Sequence, residues 1–246
     1  MNPVNTNDPS ALKDWNERMI DKYDLVNYYD HRIPLIRWIE RRRLKKMLAE
    51  LHATDDADTL EIGCGAGQVL MAVPKGKLNG FDLSERLVEI TKKKILAAFP
   101  DRLGTIVQGD AQHWPDAILN RTYTNILCSE VIEHIPEPRR LMEELSRVVG
   151  PGTKAVVIST PNEPLINRLK SILVSVGVFR WLFPNISKDM TEEWHLSSFD
   201  IPLMEKMCDG LFRIKKIQGV PFRGLPVRYI FTLEKIDTVP STRVST

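Results

Sequence analysis

Short apolar runs alternate with helical patterns from residue 59 to residue 159. Alternation of this kind predicts a mainly parallel sheet that carries helices on both faces. Two further apolar runs, residues 211–220 and 227–236, are joined only by PFRGLP, and so short a connection indicates an antiparallel hairpin. The chain is therefore predicted to be an α/β protein. The predicted strands before the hairpin are Thr59–Ile62, Leu78–Phe81, Gly104–Gln108, Tyr123–Cys128 and Lys154–Ser159, and the predicted helices are Gly67–Val73, Ser84–Ala98 and Glu137–Val149.

Composition narrows the class of protein. The chain has 246 residues, 43% of them hydrophobic and 27% charged, with a formal net charge of +2. This balance allows a sizeable core and gives no argument for nucleic acid. The three cysteines form no CxxC pair, which argues against a disulfide scaffold or a zinc knuckle. The N-terminus lacks a secretory-signal pattern and no run of about 18 apolar residues occurs, so we expect a cytoplasmic protein.

The N-terminal residues 11–51 are predicted to be helical, because apolar residues in their second half recur at a spacing of about 3.6. Cations crowd that second half, and we interpret them as a solvated helix face. A patch for the phosphate groups of lipid or RNA is the alternative. The cations are Arg37, Arg41, Arg42, Arg43, Lys45 and Lys46.

A glycine-rich turn follows the first predicted strand. LEIGCGAGQVL places Gly63, Gly65 and Gly67 between that strand and a helix. Glycines at such a point permit a tight turn and a close approach of the backbone to a ligand. The spacing is not the dinucleotide pattern GxGxxG, because Gln68 stands where the third glycine would be. The Lys-Ser/Thr pair of a phosphate-binding P-loop is also missing.

Two aspartates follow the second and third predicted strands. Asp82 could accept hydrogen bonds from ribose hydroxyls, and Asp110 could accept one from an exocyclic amine. The carboxyl ends of parallel strands share one edge of a sheet, where open α/β folds bind ligands. A helix cap is the simpler explanation for Asp82 alone, since a helix opens near Ser84. The glycines and both aspartates in this order favour a nucleoside-binding edge.

The chain resembles the Rossmann-like class of S-adenosylmethionine-dependent methyltransferases. The resemblance rests on LEIGCGAGQ, GFDLS, QGDAQ, ILCSEVIEHIPEP and VVGPGTKAVVISTPN and covers about residues 55–235. It implies a three-layer fold with a seven-stranded sheet whose last strand is antiparallel. By the family's pattern, Glu61, Gly63, Cys64, Gly65 and Gly67 surround the methionine portion of the cofactor, Asp82 and Leu83 hold the ribose, Asp110 and Ala111 border the adenine, and Cys128 and Ser129 lie beside the sulfonium.

The resemblance also sets the expected organisation of the chain. Residues 1–54 would form an N-terminal helical arm and residues 55–236 the methyltransferase domain. A helical insertion after the fifth strand would occupy residues 162–200, and residues 237–246 would be a flexible tail. In the family such an arm often folds over the cofactor and the acceptor. Aromatic residues of the arm suit that role or simple packing, and they are Trp15, Tyr23, Tyr28 and Tyr29.

Three ionisable residues, Glu130, Glu133 and His134, crowd the segment after the fourth strand. On a helical turn, residues at i, i+3 and i+4 share one face, so we expect the three side chains to converge. His134 is then a candidate general base, with Glu130 beside it, for a hydroxyl acceptor. A divalent cation bound by the group is a second hypothesis. In the third, the glutamates are ordinary charges at a helix start and the histidine is a packing residue.

STPNEP and EEWHLSSF resemble segments of the small-RNA 3′-terminal 2′-O-methyltransferases, in which a Glu-x-x-Glu-His cluster and a later histidine bind a divalent metal. The resemblance implies a site for Mg, Mn, Fe or Zn. Its ligands would be Glu130, Glu133, His134 and His195.

The methyl acceptor is predicted from the Glu-x-x-Glu-His motif and from the insertion after the fifth strand. Both resemble those of the O-methyltransferases of ubiquinone biosynthesis. They imply O-methylation of a small or lipid-like hydroxyl acceptor. RNA 3′-terminal 2′-O-methylation and a non-catalytic, cofactor-binding partner subunit are the alternatives. Within the insertion, residues 162–190 are predicted to form a lid, a peripheral membrane contact or a dimer contact. Its apolar helical stripe is Leu165, Ile166, Leu169, Ile172, Leu173 and Val176, and an aromatic group follows at Phe179, Trp181, Leu182 and Phe183.

Overall fold

The computed structural model describes residues 9–23, 33–182 and 195–236. Tyr28, Tyr29, Phe183 and the predicted tail at 237–246 lie outside these ranges. Within them, no helix has both the length and the apolar character that a bilayer span requires.

A seven-stranded sheet organises the chain, in the order β3-β2-β1-β4-β5-β7-β6. Strands β1 to β5 are mutually parallel, and β7 runs antiparallel to both of its neighbours. The predicted α/β fold with an antiparallel last strand is confirmed. The strands are β1 (Asp58–Ile62), β2 (Lys77–Asp82), β3 (Leu103–Gln108), β4 (Asn125–Ser129), β5 (Ala155–Pro161), β6 (Phe212–Phe222) and β7 (Leu225–Lys235).

Helices flank this sheet, and two hydrophobic clusters fill the space on its faces. Amphipathic patterns account for the helices; α6, for example, buries Leu141, Met142, Leu145 and Val148 along one face. Ser84 begins α4 as an N-cap, because its side chain accepts from the backbone N–H of Leu87. The helices are α1 (Pro9–Tyr23), α2 (Pro34–Leu48), α3 (Gln68–Ala72), α4 (Glu85–Ala98), α5 (Asp116–Leu119), α6 (Pro138–Val148), α7 (Glu163–Ser175), α8 (Phe179–Leu182) and α9 (Ile201–Cys208).

The interpretation of the basic segment as a solvated face is wrong for part of α2. Arg43 is only 1% exposed and lies in the protein interior. Arg42 and Lys46 donate to the backbone carbonyls of Pro221 and Gly219 on β6. Three of the six cations therefore attach α2 to the rest of the fold, which the 3.6-residue pattern alone does not reveal.

The insertion begins with α7, as predicted, and the side chain of Asn162 caps it. Its apolar stripe is not buried: Ile172 and Val176 are exposed, and so is Trp181 of α8. Phe179, in contrast, is buried. The helix is confirmed, but whether it is a lid, a membrane contact or a dimer contact stays a prediction.

Candidate active site

The glycine turn leaves β1 with left-handed backbone. Gly63 has φ +66° and Gly65 has φ +50°, a region that residues with a Cβ rarely adopt. A Cβ on Gly63 would lie 2.4 Å from Cγ2 of Val131, so this turn closely approaches the segment after β4. A Cβ on Gly65 would meet no atom within 4 Å, so that side of the turn is open. Gly67 ends the turn as the residue before α3.

Glu61 lies on β1 just before this turn and is 2% exposed. Its Oε2 is buried without a hydrogen-bond partner in the described structure. Burial raises the pKa of Glu61 well above its usual value, and the nearby carboxylate of Asp82 adds to that rise. Because buried polar atoms are nearly always paired, the orphaned oxygen indicates a place for a ligand donor.

Asp82 connects the turn to α4. One carboxylate oxygen accepts from the backbone N–H of Gly65 at 2.8 Å, and the other accepts from that of Ser84 at 2.9 Å. Each oxygen keeps a second lone pair for a further donor. Burial raises the pKa of Asp82. Leu83, the next residue, packs against Leu12 and Trp15 of α1, so the N-terminal helix covers this part of the edge.

Asp110 and Ala111 lie in a loop held by its own hydrogen bonds. The Asp110 carboxylate accepts from the backbone N–H of Gln112 at 2.8 Å, and the carbonyl of Ala111 accepts from Nε1 of Trp114 at 2.9 Å. The loop follows β3, so the structure places these residues, the glycine turn and Asp82 at the same carboxyl edge of the sheet.

Cys64 and Cys128 are both buried, and burial raises the pKa of each thiol well above its usual value. Buried thiols of this kind are neutral, so neither is suited to act as a thiolate nucleophile. Ser129 ends β4, and its Oγ accepts from Nη1 of Arg43 at 2.6 Å. The predicted neighbours of the sulfonium are thus a neutral thiol and a hydroxyl fixed by an arginine.

Glu130 does not share a helical face with Glu133 and His134, and the prediction that all three side chains converge is wrong. Glu130 has a left-handed φ of +54°, and only Ile132–His134 form a short 3-10 turn. Left-handed backbone directs the Glu130 carboxylate toward arginines instead. Its Oε2 is 2.8 Å from Nε of Arg228, and its Oε1 is 3.6 Å from Nη1 of Arg43.

Glu130 is one of four charged side chains that form a closed ring of ion pairs. Arg43 Nε donates to Glu40 Oε2 at 2.8 Å, and Glu40 Oε1 is 3.4 Å from Nη2 of Arg228. Together with the two contacts of Glu130, these pairs close a ring of two cations and two anions, which we call the Arg43 ring. Its members are Glu40, Arg43, Glu130 and Arg228. Sequence reasoning missed Glu40, Arg43 and Arg228 as members of a buried network, because a charged residue in a helical or strand pattern carries no signal of burial.

Glu133, His134 and His195 come together as the structure's candidate metal group. One ligand atom from each lies within 4.8 Å of the other two, and the rings of the two histidines are 4.9 Å apart. Glu133 is 1% exposed and its Oε2 has no hydrogen-bond partner in the described structure. Burial raises the pKa of Glu133 well above its usual value, and Glu130 contributes to the rise.

The segment of His195 is fixed from two directions. The backbone N–H of Leu196 donates to the carbonyl of Glu133 at 2.8 Å. The Nδ1 of His195 lies 2.6 Å from Oε1 of Glu163, a buried carboxylate in the first turn of α7. Since a carboxylate accepts, Nδ1 is the donor in this contact, and the Nε2 of a neutral imidazole would be left to bind an ion. Sequence reasoning missed Glu163, although it lies within STPNEP.

A family model described as methyltransferase domain matches residues 29–206. A ubiquinone biosynthesis O-methyltransferase from Coxiella burnetii is 25% identical over 226 residues, covering 85% of this chain and 90% of the relative. A demethylmenaquinone methyltransferase from Lactiplantibacillus plantarum is 25% identical over 150 residues, and the match spans 58% of each chain. The structure of magnesium protoporphyrin IX methyltransferase from Synechocystis PCC 6803 with bound SAH aligns with a TM-score of 0.64 at 17% identity, covering 92% of this chain and 99% of that one.

The chain belongs to the methyltransferase-domain family. It is a class I S-adenosylmethionine-dependent methyltransferase, as the sequence motifs predicted.

The residues of the edge fit this cofactor. The orphaned carboxylate oxygen of Glu61 would accept from the ammonium of the methionine portion. Asp82 would accept from the ribose with the lone pairs that Gly65 and Ser84 leave free. The open side of Gly65 leaves room for close approach of a ligand. When bound, the cofactor supplies a methyl group on a positively charged sulfur.

Proposed function

We propose that the chain methylates a hydroxyl oxygen of a small or lipid-like acceptor. The observation that carries this proposal is the grouping of Glu133, His134 and His195 next to the end of β4. The relatives named for ubiquinone and menaquinone biosynthesis support an acceptor of that kind.

Methyl transfer to a hydroxyl leaves a proton that the chain must take up. His134 is the candidate base, because its imidazole is partly exposed and borders a buried carboxylate. An imidazole has an unperturbed pKa of about 6.5, so its neutral form is available near neutral pH. Glu130 is the other residue predicted to be catalytic, but its carboxylate is engaged by two arginines, which favours a positioning role for it.

A divalent cation is the alternative form of the proposal, in which His134 is a ligand of the ion and not the base. The donor set of one carboxylate oxygen and two imidazole nitrogens suits Zn, Fe or Mn better than Mg. The unpartnered Oε2 of Glu133 fits such a role. Glu133, His134 and His195 would hold the ion, and Glu163 would orient His195. A bound cation would lower the pKa of an acceptor hydroxyl.

The test is formation of S-adenosylhomocysteine by the purified chain with catechols, polyprenyl phenols and sugars, with and without a chelator. We expect product from at least one hydroxyl acceptor. His134→Asn should lower kcat by about 100-fold or more while the affinity for the cofactor stays the same, because a general base contributes on that order. His52→Asn is the matched control, since His52 is exposed before β1, away from the carboxyl edge.

Each hypothesis has an outcome that would contradict it. Methyltransferase activity that is unchanged by the chelator would exclude the metal hypothesis and leave His134 as the candidate base. Tight cofactor binding without product from any acceptor would favour the non-catalytic partner subunit.

RNA 3′-terminal 2′-O-methylation is the second candidate, favoured by the position of His195 beside Glu133 and His134. This histidine is the ligand that the resemblance to the small-RNA enzymes implies. An RNA oligonucleotide would then be methylated at its 3′ end, and its affinity would fall steeply with salt because phosphate contacts release counterions. Methylation of phenols but not of RNA would exclude this candidate.

A further inference from the structure

Four exposed apolar side chains gather at the tip of the β6–β7 hairpin and the start of α2. Trp38 is 42% exposed and Phe222 is 54% exposed, and their ring centroids are 5.7 Å apart. Leu35 lies one helical turn from Trp38, and Leu225 is the strand partner of Phe222. We call this group of Leu35, Trp38, Phe222 and Leu225 the Trp38 patch. Exposed aromatic and leucine side chains grouped in this way mark an interaction surface.

The Trp38 patch is held together by α2 and the hairpin. The guanidinium of Arg42 lies 5.9 Å from the ring centroid of Trp38 and 5.7 Å from that of Phe222. The same side chain donates to the carbonyl of Pro221 at 2.9 Å, and Lys46 donates to that of Gly219 at 2.7 Å. The patch is therefore fixed before any partner arrives, and docking on it requires no ordering of these two elements.

The surroundings of the patch are basic. Residues 33–46 and 213–228 contain a single carboxylate, Glu40, and it is 1% exposed. Arg41, Arg42 and Arg223 are exposed beside the apolar side chains. A partner of this surface must therefore offer both negative charge and a place for apolar groups.

The patch lies at the same edge of the sheet as the candidate active site. β7 begins at that edge, because Arg228 pairs with Pro161 at the end of β5. Nδ2 of Asn162 donates to the carbonyl of Pro226 at 2.8 Å, which joins the hairpin tip to the start of α7. The hairpin tip thus adjoins the helix whose first residue, Glu163, holds His195.

We propose that the Trp38 patch docks the protein on the surface of an anionic lipid bilayer. Tryptophan and phenylalanine rings favour the interfacial region, leucines favour the acyl region, and arginines favour anionic headgroups. RNA would satisfy the arginines and the rings but would leave Leu35 and Leu225 without an apolar partner. A docked bilayer would deliver a lipid-like acceptor to the edge that carries the active site, and that benefit rests on the proposed function.

The test is co-sedimentation of the purified chain with vesicles of phosphatidylcholine alone and of phosphatidylcholine mixed with phosphatidylglycerol. We expect binding to the anionic vesicles, with Trp38→Ser and Arg223→Glu each weakening it by about tenfold or more. Leu96→Ser and Lys93→Glu are the matched controls, since both residues are exposed on α4, which contacts β2 and β3 at the end of the strand order far from β6 and β7. Both controls should bind as the unaltered chain does.

Several results would overturn the proposal. They are no binding to either vesicle, equal binding to both, or equal weakening by the control variants. Loss of binding only with Trp181→Ser would assign the contact to the insertion instead. If the chain self-associates and Trp38→Ser abolishes this, the partner of the patch is a second copy of the chain. If the chain binds RNA but not vesicles, the partner is RNA. Vesicle binding without methyl transfer to any hydroxyl would keep the docking surface and overturn the proposed function.

Discussion

Glu61 and Glu133 each bury a carboxylate oxygen that lacks a hydrogen-bond partner within the described ranges. Such atoms are costly in a folded chain and are rarely kept without a use. One lies beside the glycine turn and the other in the Glu133–His134–His195 group. We therefore propose that these two residues mark the two halves of the active site, the cofactor side and the acceptor side.

For Glu61, the raised pKa has a consequence for stability. The folded chain keeps a proton that the unfolded chain releases above the usual carboxyl pKa, so the free energy of unfolding falls as pH rises. Glu61→Gln has no such proton. We expect its unfolding free energy, measured with urea and without cofactor, to fall less between about pH 5 and about pH 8.

The same substitution should weaken binding of S-adenosylmethionine by about tenfold or more in calorimetry, because a charged hydrogen bond is lost. Glu85→Gln, on the exposed start of α4, should change neither quantity. Unaltered cofactor affinity in Glu61→Gln would contradict the placement of the methionine portion at Glu61.

At the scale of elements, α1 lies over the cofactor edge. Leu12 and Trp15 pack on Leu83, and Ile20 packs on Ala66 of the glycine turn. Arg86 of α4 pairs with Asp21 at 2.8 Å on the outside. These contacts join side chains of α1 to the outside of the cofactor edge, so we expect that α1 can separate from the sheet without unfolding it.

Trp15→Ala tests the role of α1. Loss of this buried ring should loosen the helix and weaken binding of S-adenosylhomocysteine by about tenfold. Calorimetry measures the affinity, and hydrogen exchange of residues 9–23 measures the helix. Trp181→Ala is the matched control, because Trp181 is 81% exposed. An unchanged affinity together with faster exchange would show that α1 does not contribute to the cofactor site.

At the scale of the whole molecule, the two N-terminal helices differ. Met47 of α2 is fully buried in the core, and Arg43 donates to Ser129 at the end of β4 and to Ser159 within β5. α2 is thus part of the body of the domain, whereas α1 lies on its surface. The N-terminal arm expected at residues 1–54 therefore contains one helix on the surface, α1, and one helix in the body of the domain, α2.

Truncation of the chain from its N-terminus tests this difference between α1 and α2. A chain that begins at residue 33 should still unfold in one cooperative urea transition, because it keeps α2. A chain that begins at residue 55 should lose that transition. Glu130, Ser129 and Ser159 would lose their partner Arg43, and the core would lose the side chain of Met47. Circular dichroism during denaturation measures both. A cooperative transition in the shorter chain would show that α2 is dispensable.

Features of the fold and of the candidate site could be predicted from the sequence where neighbouring residues determine them. Features that depend on contacts between distant residues could not. The apolar runs predicted each strand to within two residues, because alternation and burial are local properties. Motifs placed Glu61, Gly65 and Asp82 at one edge. Glu130 was misplaced, because neither its left-handed backbone nor its contacts with the distant Arg43 and Arg228 can be read from the local pattern. The pairing of Glu163 with His195 likewise arises only when residues far apart in the chain meet.

The Arg43 ring also limits how early during synthesis this part of the protein can fold. Arg43 reaches Ser159 across 116 residues, and Arg42 reaches Pro221 across 179. Arg228 and β7, which complete the ring and cover the edge of β5, leave the ribosome after strands β1 to β6. Until then the growing polypeptide carries an uncovered strand edge and unpaired buried charges, the state in which chaperones bind nascent chains. The segment after β4 can therefore reach its final conformation only after β7 has been synthesised.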